Sequence, residues 1–199
     1  MSNNTMSLDR ASSPRSRSIS SSTIQTGQTI NNRRTGQSMC FLQTAADTSG
    51  ALLQIETVNL PTGIPEPTHI HPHQESRAHV TAGSLLFVVD GIRRRLVAGE
   101  EITIPAGVPH HFLNDGDNDA VSIQEFRPAL RTAEFFQALF DLAARGELDD
   151  RGMPSLLRLA ILAPEFADEI RVVKPPWPVQ RAAFALLAPI ARMRGYAAA

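Results

Sequence analysis

The sequence predicts a mainly β fold, a sandwich or barrel of short strands, followed by a C-terminal α-helical extension. Three observations carry that expectation. From about Ile30 to Pro128, short apolar runs alternate with turn residues. The turns fall at regular intervals, with no helical period among them. After Arg127-Pro128 the apolar spacing changes to three and four, the period of an amphipathic helix.

The elements follow in order. Met1 to about Thr29 is rich in Ser, Asn, Thr and Arg, with Asp9 its only acid, so it has too little apolar surface to offset the entropy of ordering. Residues 1–29 are therefore expected to be a disordered tail. The segment is also similar to an organelle transit peptide, but it lacks an amphipathic apolar face. Residues 30–128 form the β domain. Its strand candidates are Met39 to Leu42, Ala51 to Leu60, Ala78 to Thr81, Ser84 to Asp90, Arg93 to Ala98, Glu101 to Ile104, His111 to Leu113 and Ala120 to Phe126. Asp90-Gly91 is a hairpin signal, Gly99 and Asp115-Gly116 supply positions of positive φ, and Pro105-Ala106-Gly107 starts a bend. Residues 129–199 form the helical extension, a lid or a dimer interface. Phe135 to Gly146 frames one helix, Leu156 to about Val172 a second bent at Pro164, and Val179 to about Arg194 a third that contains Pro189.

Composition narrows the partners. The chain has 199 residues, 42% of them hydrophobic, enough for a core. A formal net charge of -1 and a pI near 6.6 give no basic footprint for nucleic acid. Cys40 is the only cysteine, which excludes an intramolecular disulfide and a thiolate cluster and points to the reducing cytoplasm. No apolar run approaches the roughly 20 residues that span a bilayer, so no membrane partner is expected.

Histidine placement exposes the chemistry. His69, His71, His73 and His79 lie close together in sequence, and His110 and His111 are adjacent. Next-but-one residues of a strand share a face, so His69 and His71 can converge on one ion. Neutral imidazole suits Zn, Fe, Cu, Ni and Mn, and a third ligand from a distant strand would leave coordination positions open.

Residues 63–114 carry two linked motifs. The second, Gly-x5-Pro-x-Gly-x2-His-x3-Asn, is complete as Gly99, Pro105, Gly107, His110 and Asn114. The first appears as Gly63, His69, His71, Glu75 and Gly83, with one irregularity. Together they resemble the paired signature of the cupin superfamily. The resemblance implies a double-stranded β-helix, or jelly-roll barrel, holding one divalent transition metal (Fe, Mn, Ni, Cu or Zn) through His69, His71, Glu75 and His110. Counting back from Gly83, the family's glutamate position falls on Ser76, one residue beyond Glu75. A one-residue slip reverses the face of a strand side chain, and Ser76, Ala78 and Val80 read as the inner row. Glu75 reaches the site only if a bulge turns it inward.

The resemblance implies a small-molecule substrate. Three activities fit it: a mononuclear-metal oxygenase or dioxygenase acting on an enolic or phenolic compound; a metal-dependent isomerase, cyclase or lyase, as in polyketide-like metabolism; and a binding protein without catalysis. Leu85, Phe87, Val89, Ile104 and Phe112 are expected wall residues. Glu125 shares a face with Val121 and Ile123; facing inward it would serve as general base, facing outward as a salt-bridge partner of Arg127 or Arg131. His73, His79 and His111 read as surface or outer-face residues, and Arg93-Arg94-Arg95 as a solvated strand edge. An exposed sheet edge suggests a homodimer.

Overall fold

A computed structural model describes residues 24–150 and 152–197. Eleven strands and three helices build it. In order, they are β1 (Thr29–Asn31), β2 (Ser38–Gln43), β3 (Leu53–Asn59), β4 (His69–Ile70), β5 (Glu75–Ala82), β6 (Ser84–Val89), β7 (Ile92–Val97), β8 (Glu101–Ile104), β9 (His110–Leu113) and β10 (Ala120–Arg127). The extension adds α1 (Thr132–Ala144), α2 (Leu156–Glu165), β11 (Arg171–Val172) and α3 (Trp177–Met193).

The strands form two sheets, β1-β2-β3-β10-β5-β8 and β11-β4-β9-β6-β7, and every pairing is antiparallel. Alternation along each strand decides what is buried. In β3, Leu53, Ile55, Thr57 and Asn59 are buried, and in β10, Ala120, Ser122, Gln124 and Phe126 are buried, with the intervening residues more exposed. Two apolar clusters follow. Phe41, Leu53, Ile55 and Phe126 anchor one, and Val80, Leu85, Phe87 and Leu96 the other. Burying a side chain such as Phe41, fully enclosed here, stabilises by about 1.5–3 kcal/mol.

Two turns fix the register near the site. Asp90 and Gly91 both have positive φ (48° and 78°), the geometry that reverses β6 into β7 with the sheet's own twist. Gly83, between β5 and β6, has φ 69°, and a Cβ there would lie 2.5 Å from the Asp119 carbonyl oxygen. No other residue fits that approach without a backbone shift.

The ordered chain reaches further back than the expected tail boundary. Ile24 is buried in the first cluster, and β1 pairs Thr29 with Cys40. The rest of the expected tail, residues 1–23, lies outside the described residues. The second helix also differs from expectation. It ends at Glu165, one residue after Pro164, and the chain turns so that Val172 pairs with His69 and Arg171 with Ile70. The extension thus supplies an edge strand as well as helices. Phe140 and Ala133 of α1 pack into the barrel cluster, Leu142 of α1 packs on Leu162 of α2, and Ile161 of α2 packs on Ala188 and Ala191 of α3. Arg158 of α2 is fully buried, yet its guanidinium is paired with Glu147 at 2.7 Å and lies over the Tyr196 ring. Among the described residues no helix is long and apolar enough to cross a membrane.

Candidate metal centre and its cavity

His69 opens β4 and pairs directly with His110, the first residue of β9. His71 follows two residues later, one residue past the end of β4. The Gly107 N–H donates to the His71 carbonyl at 2.9 Å, tying the turn that precedes His110 to the loop that carries His71. The three rings lie 4.5–5.2 Å apart between centroids, all three residues are buried, and their candidate ligand atoms fall within 4.8 Å of one another.

Each imidazole is held from behind. His69 Nδ1 lies 2.9 Å from the Pro67 carbonyl, His110 Nδ1 2.9 Å from the Val108 carbonyl, and His71 Nδ1 2.7 Å from the Glu169 carbonyl. A carbonyl oxygen only accepts, so each Nδ1 carries the hydrogen and each Nε2 keeps a lone pair. Such outer contacts fix tautomer and orientation in histidine metal sites. The third one crosses from the barrel to the segment between α2 and β11. Burial is the main influence that lowers the pKa of all three rings, and the mutual proximity of the histidines adds to it at His69 and His71; His71 falls to about 4. The rings are neutral at neutral pH, the form that binds metal. A set of three neutral imidazoles with oriented lone pairs fits a divalent transition ion.

Around the triad opens a cavity of about 320 Å³. The barrel contributes Phe87, Phe112 and Phe126 to its wall. The extension contributes Phe135, Phe136, Phe140, Phe166 and Phe184, with Trp177. Of nine phenylalanines, only Phe41 is absent from the lining. Ile104 also lines it, whereas Leu85 and Val89 pack into the barrel cluster instead. Ser76 and Gln124 place a hydroxyl and an amide on the same wall.

The two carboxylates expected at the site are elsewhere. Glu75 is exposed at the start of β5, while its neighbour Ser76 is buried and lines the cavity. The register of β5 is regular where it meets β8 and the end of β10, so no bulge turns Glu75 inward. Glu125 faces outward, because the buried row of β10 is Ser122, Gln124 and Phe126 rather than Val121 and Ile123. It accepts hydrogen bonds from Gln54 at 2.9 Å and Arg127 at 3.0 Å. Partial burial raises its pKa, and these two donors outweigh that and hold the carboxyl below its usual range. Of the other histidines, His73 is exposed and 3.6 Å from Asp168, His111 bonds Thr68 at 3.0 Å, and His79 borders an outer pocket with Arg77 and Glu125.

Glu66 is a lining carboxyl that the motifs gave no reason to single out. Its only sequence signal is a lone acid between Pro65 and Pro67, three positions before His69.

A two-sheet antiparallel barrel with a buried histidine triad at one end defines a β-barrel protein with a candidate mononuclear metal centre. Comparison with known proteins finds likenesses to that barrel. The family described as "Cupin domain" matches residues 56–123, a segment within it. Protein SchB of Streptomyces halstedii is 36% identical over 92 residues, 45% of this chain and 64% of that protein. Acireductone dioxygenase of Geobacillus thermodenitrificans is 36% identical over 67 residues, 31% of this chain and 37% of that enzyme. The chain thus spans less than two thirds of either relative. Among solved structures, KdgF from Halomonas sp. is 19% identical with a TM-score of 0.42, covering 47% of this chain and 79% of its own. An RmlC-like cupin from Shewanella frigidimarina is 22% identical with a TM-score of 0.44, covering 52% and 86%.

Proposed function

We propose that this protein is a mononuclear-metal oxygenase acting on a small enolic or phenolic substrate. The observation that carries the reading is the meeting of three neutral, pre-oriented imidazoles in a cavity walled by phenylalanine. Planar conjugated ligands match such walls, since aromatic rings favour offset and edge contacts with one another. Support comes also from the segment shared with acireductone dioxygenase, which is named for that type of chemistry.

A divalent ion held by His69, His71 and His110 would lower the pKa of an enol or phenol oxygen and, if redox-active, exchange electrons with dioxygen. The chain's own groups do the rest. The Pro67, Val108 and Glu169 carbonyls keep the imidazoles aimed. Ser76 and Gln124 offer polar contacts to a substrate edge. The phenylalanine walls exclude water from reactive species.

The test is oxygen consumption by protein loaded with iron, manganese, copper or nickel, offered enediols, catechols and flavonols. Uptake with at least one metal, lost in His110→Ala, is expected. No uptake with any metal, or turnover that continues unchanged under strict anaerobiosis, overturns the oxygenase reading; the second result favours isomerase, cyclase or lyase chemistry.

A further inference from the structure

The last helix is apolar on two sides. Its inner side is buried through Gln180, Phe184, Ala188 and Ala191, the last two packed on Ile161 of α2. Its outer side is bare. Among the described residues, four of the nine exposed large apolar side chains belong to α3: Val179, Leu186 (77% exposed), Ile190 and Met193 (80% exposed). Val179, Leu186 and Met193 recur every seven residues and Ile190 stands one turn beyond Leu186, so the four share an arc of about 60° along about 21 Å of helix. Exposed Ala182 and Ala183 lie between them. Such a stripe ordinarily faces a core, and this one faces outward.

The charges around the stripe are of one sign. Residues 170–199 contain Arg171, Lys174, Arg181, Arg192 and Arg194 and no acid, in a chain whose formal net charge is -1. Arg171 is engaged by Asp168 and the Trp177 ring. The other four are exposed, and among the described residues no ion pair or side-chain hydrogen bond engages them. A second copy is a poor match for this face. Two α3 helices laid antiparallel set Arg181 opposite Arg192, and laid parallel they set each arginine beside its own copy, with no acid on either helix. A peptide docks in a groove between elements, whereas the stripe is the outer ridge of one helix.

We propose that the outer face of α3 docks this protein on an anionic lipid bilayer. Val179, Leu186, Ile190 and Met193 enter the acyl boundary, while Lys174, Arg181, Arg192 and Arg194 meet the headgroups. A helix lying along the bilayer surface needs no spanning length. The inner side of the same helix lines the cavity through Trp177, Gln180 and Phe184, so docking brings that apolar space within about 10 Å of lipid, one helix diameter. The assignment is independent of the metal-site reading.

Vesicle flotation of the full chain tests it. Wild type is expected to bind phosphatidylcholine vesicles containing about 30% phosphatidylserine at least about tenfold more tightly than phosphatidylcholine alone, and to lose most of that difference in about 0.5 M salt. Two multiple variants, matched to wild type by circular dichroism and melting temperature, separate the contributions. Leu186→Gln with Met193→Gln removes only exposed apolar surface and is expected to weaken binding about tenfold or more. Arg181→Gln with Arg192→Gln and Arg194→Gln is expected to weaken binding to the anionic vesicles about tenfold and to leave neutral vesicles unaffected. Anionic-vesicle binding unchanged in either variant, equal binding to both vesicle types, or no binding to either overturns the assignment. Light scattering supplies the remaining outcome: a wild-type dimer that becomes monomeric in the Leu186, Met193 variant gives the face to a second copy and overturns it too.

Discussion

The two faces of β5 and β10 treat ionisable groups in opposite ways. Outside, Arg77 pairs with Glu101, Glu125 with Arg127, and Glu75 stands in solvent. Inside, Ser76, Ala78, Gln124 and Phe126 carry no charge, and the histidines beside them are held neutral by burial. The two rows are one residue apart in sequence. That single step separates a solvated ion pair from a ligand position, which is why a glutamate adjacent to the motif position does not substitute for one on it.

The comparison can be broken most severely at the inner row. Removal of one imidazole, as in His69→Ala or His110→Ala, is expected to weaken metal retention by more than about a hundredfold, since even outer-contact changes cost ten to a hundredfold. Elemental analysis of protein purified without chelators measures it. The intermediate effect sharpens the contrast between faces. Ser76→Glu, which places a carboxylate on the inner row, is expected to tighten metal binding about tenfold by raising the negative charge of the site. Glu75→Gln, on the outer row, is expected to change it by less than about twofold, because exposed charges are screened. Competition with a chelator reads both, and equal effects of the two substitutions would contradict the assigned faces.

The smallest effect is on stability against pH in metal-free protein. Buried histidines have folded pKa values below the ordinary 6.5, with His71 at about 4, so the unfolded chain binds more protons between those values. Their contribution is complete above pH 6.5 and is lost as pH falls through that window. Glu66 has the opposite sign. Its pKa rises from 4.5 to about 8, so its contribution is complete below 4.5 and is lost as pH rises towards 8. Thermal melts across this range are expected to show a steeper acid-side loss in Glu66→Gln than in wild type, since the opposing trend is gone.

Much of the barrel was legible in the sequence because its signals are local. Asp90-Gly91 needs only its own backbone preference to predict the β6–β7 hairpin, and the His69, His71, His110 spacing needs only strand alternation and the second motif. The inner row of β5 was legible for the same reason: Ser76, Ala78 and Val80 are small or apolar at every second position. What escaped was non-local or lacked a repeat. β4 is two residues long, too short for a period to register. β11 exists because Arg171 and Val172 find an open edge about a hundred residues earlier in the chain. The outward direction of Glu125 could not be read from β10 alone, since Val121 and Ile123 are as apolar as Ala120 and Phe126; the partner strands decide it. Glu66 sits in an irregular loop between prolines, where no pattern tells a cavity-lining acid from a solvated one.

The single tryptophan of this chain, Trp177, is a cavity residue, stacked edgewise on Phe184 and under the Arg171 guanidinium. Indole emission from this molecule therefore originates at the wall that a guest would touch. An unlabelled sample carries its own optical reporter, and quenching or a spectral shift during a ligand screen can rank candidate compounds before any reaction has been identified.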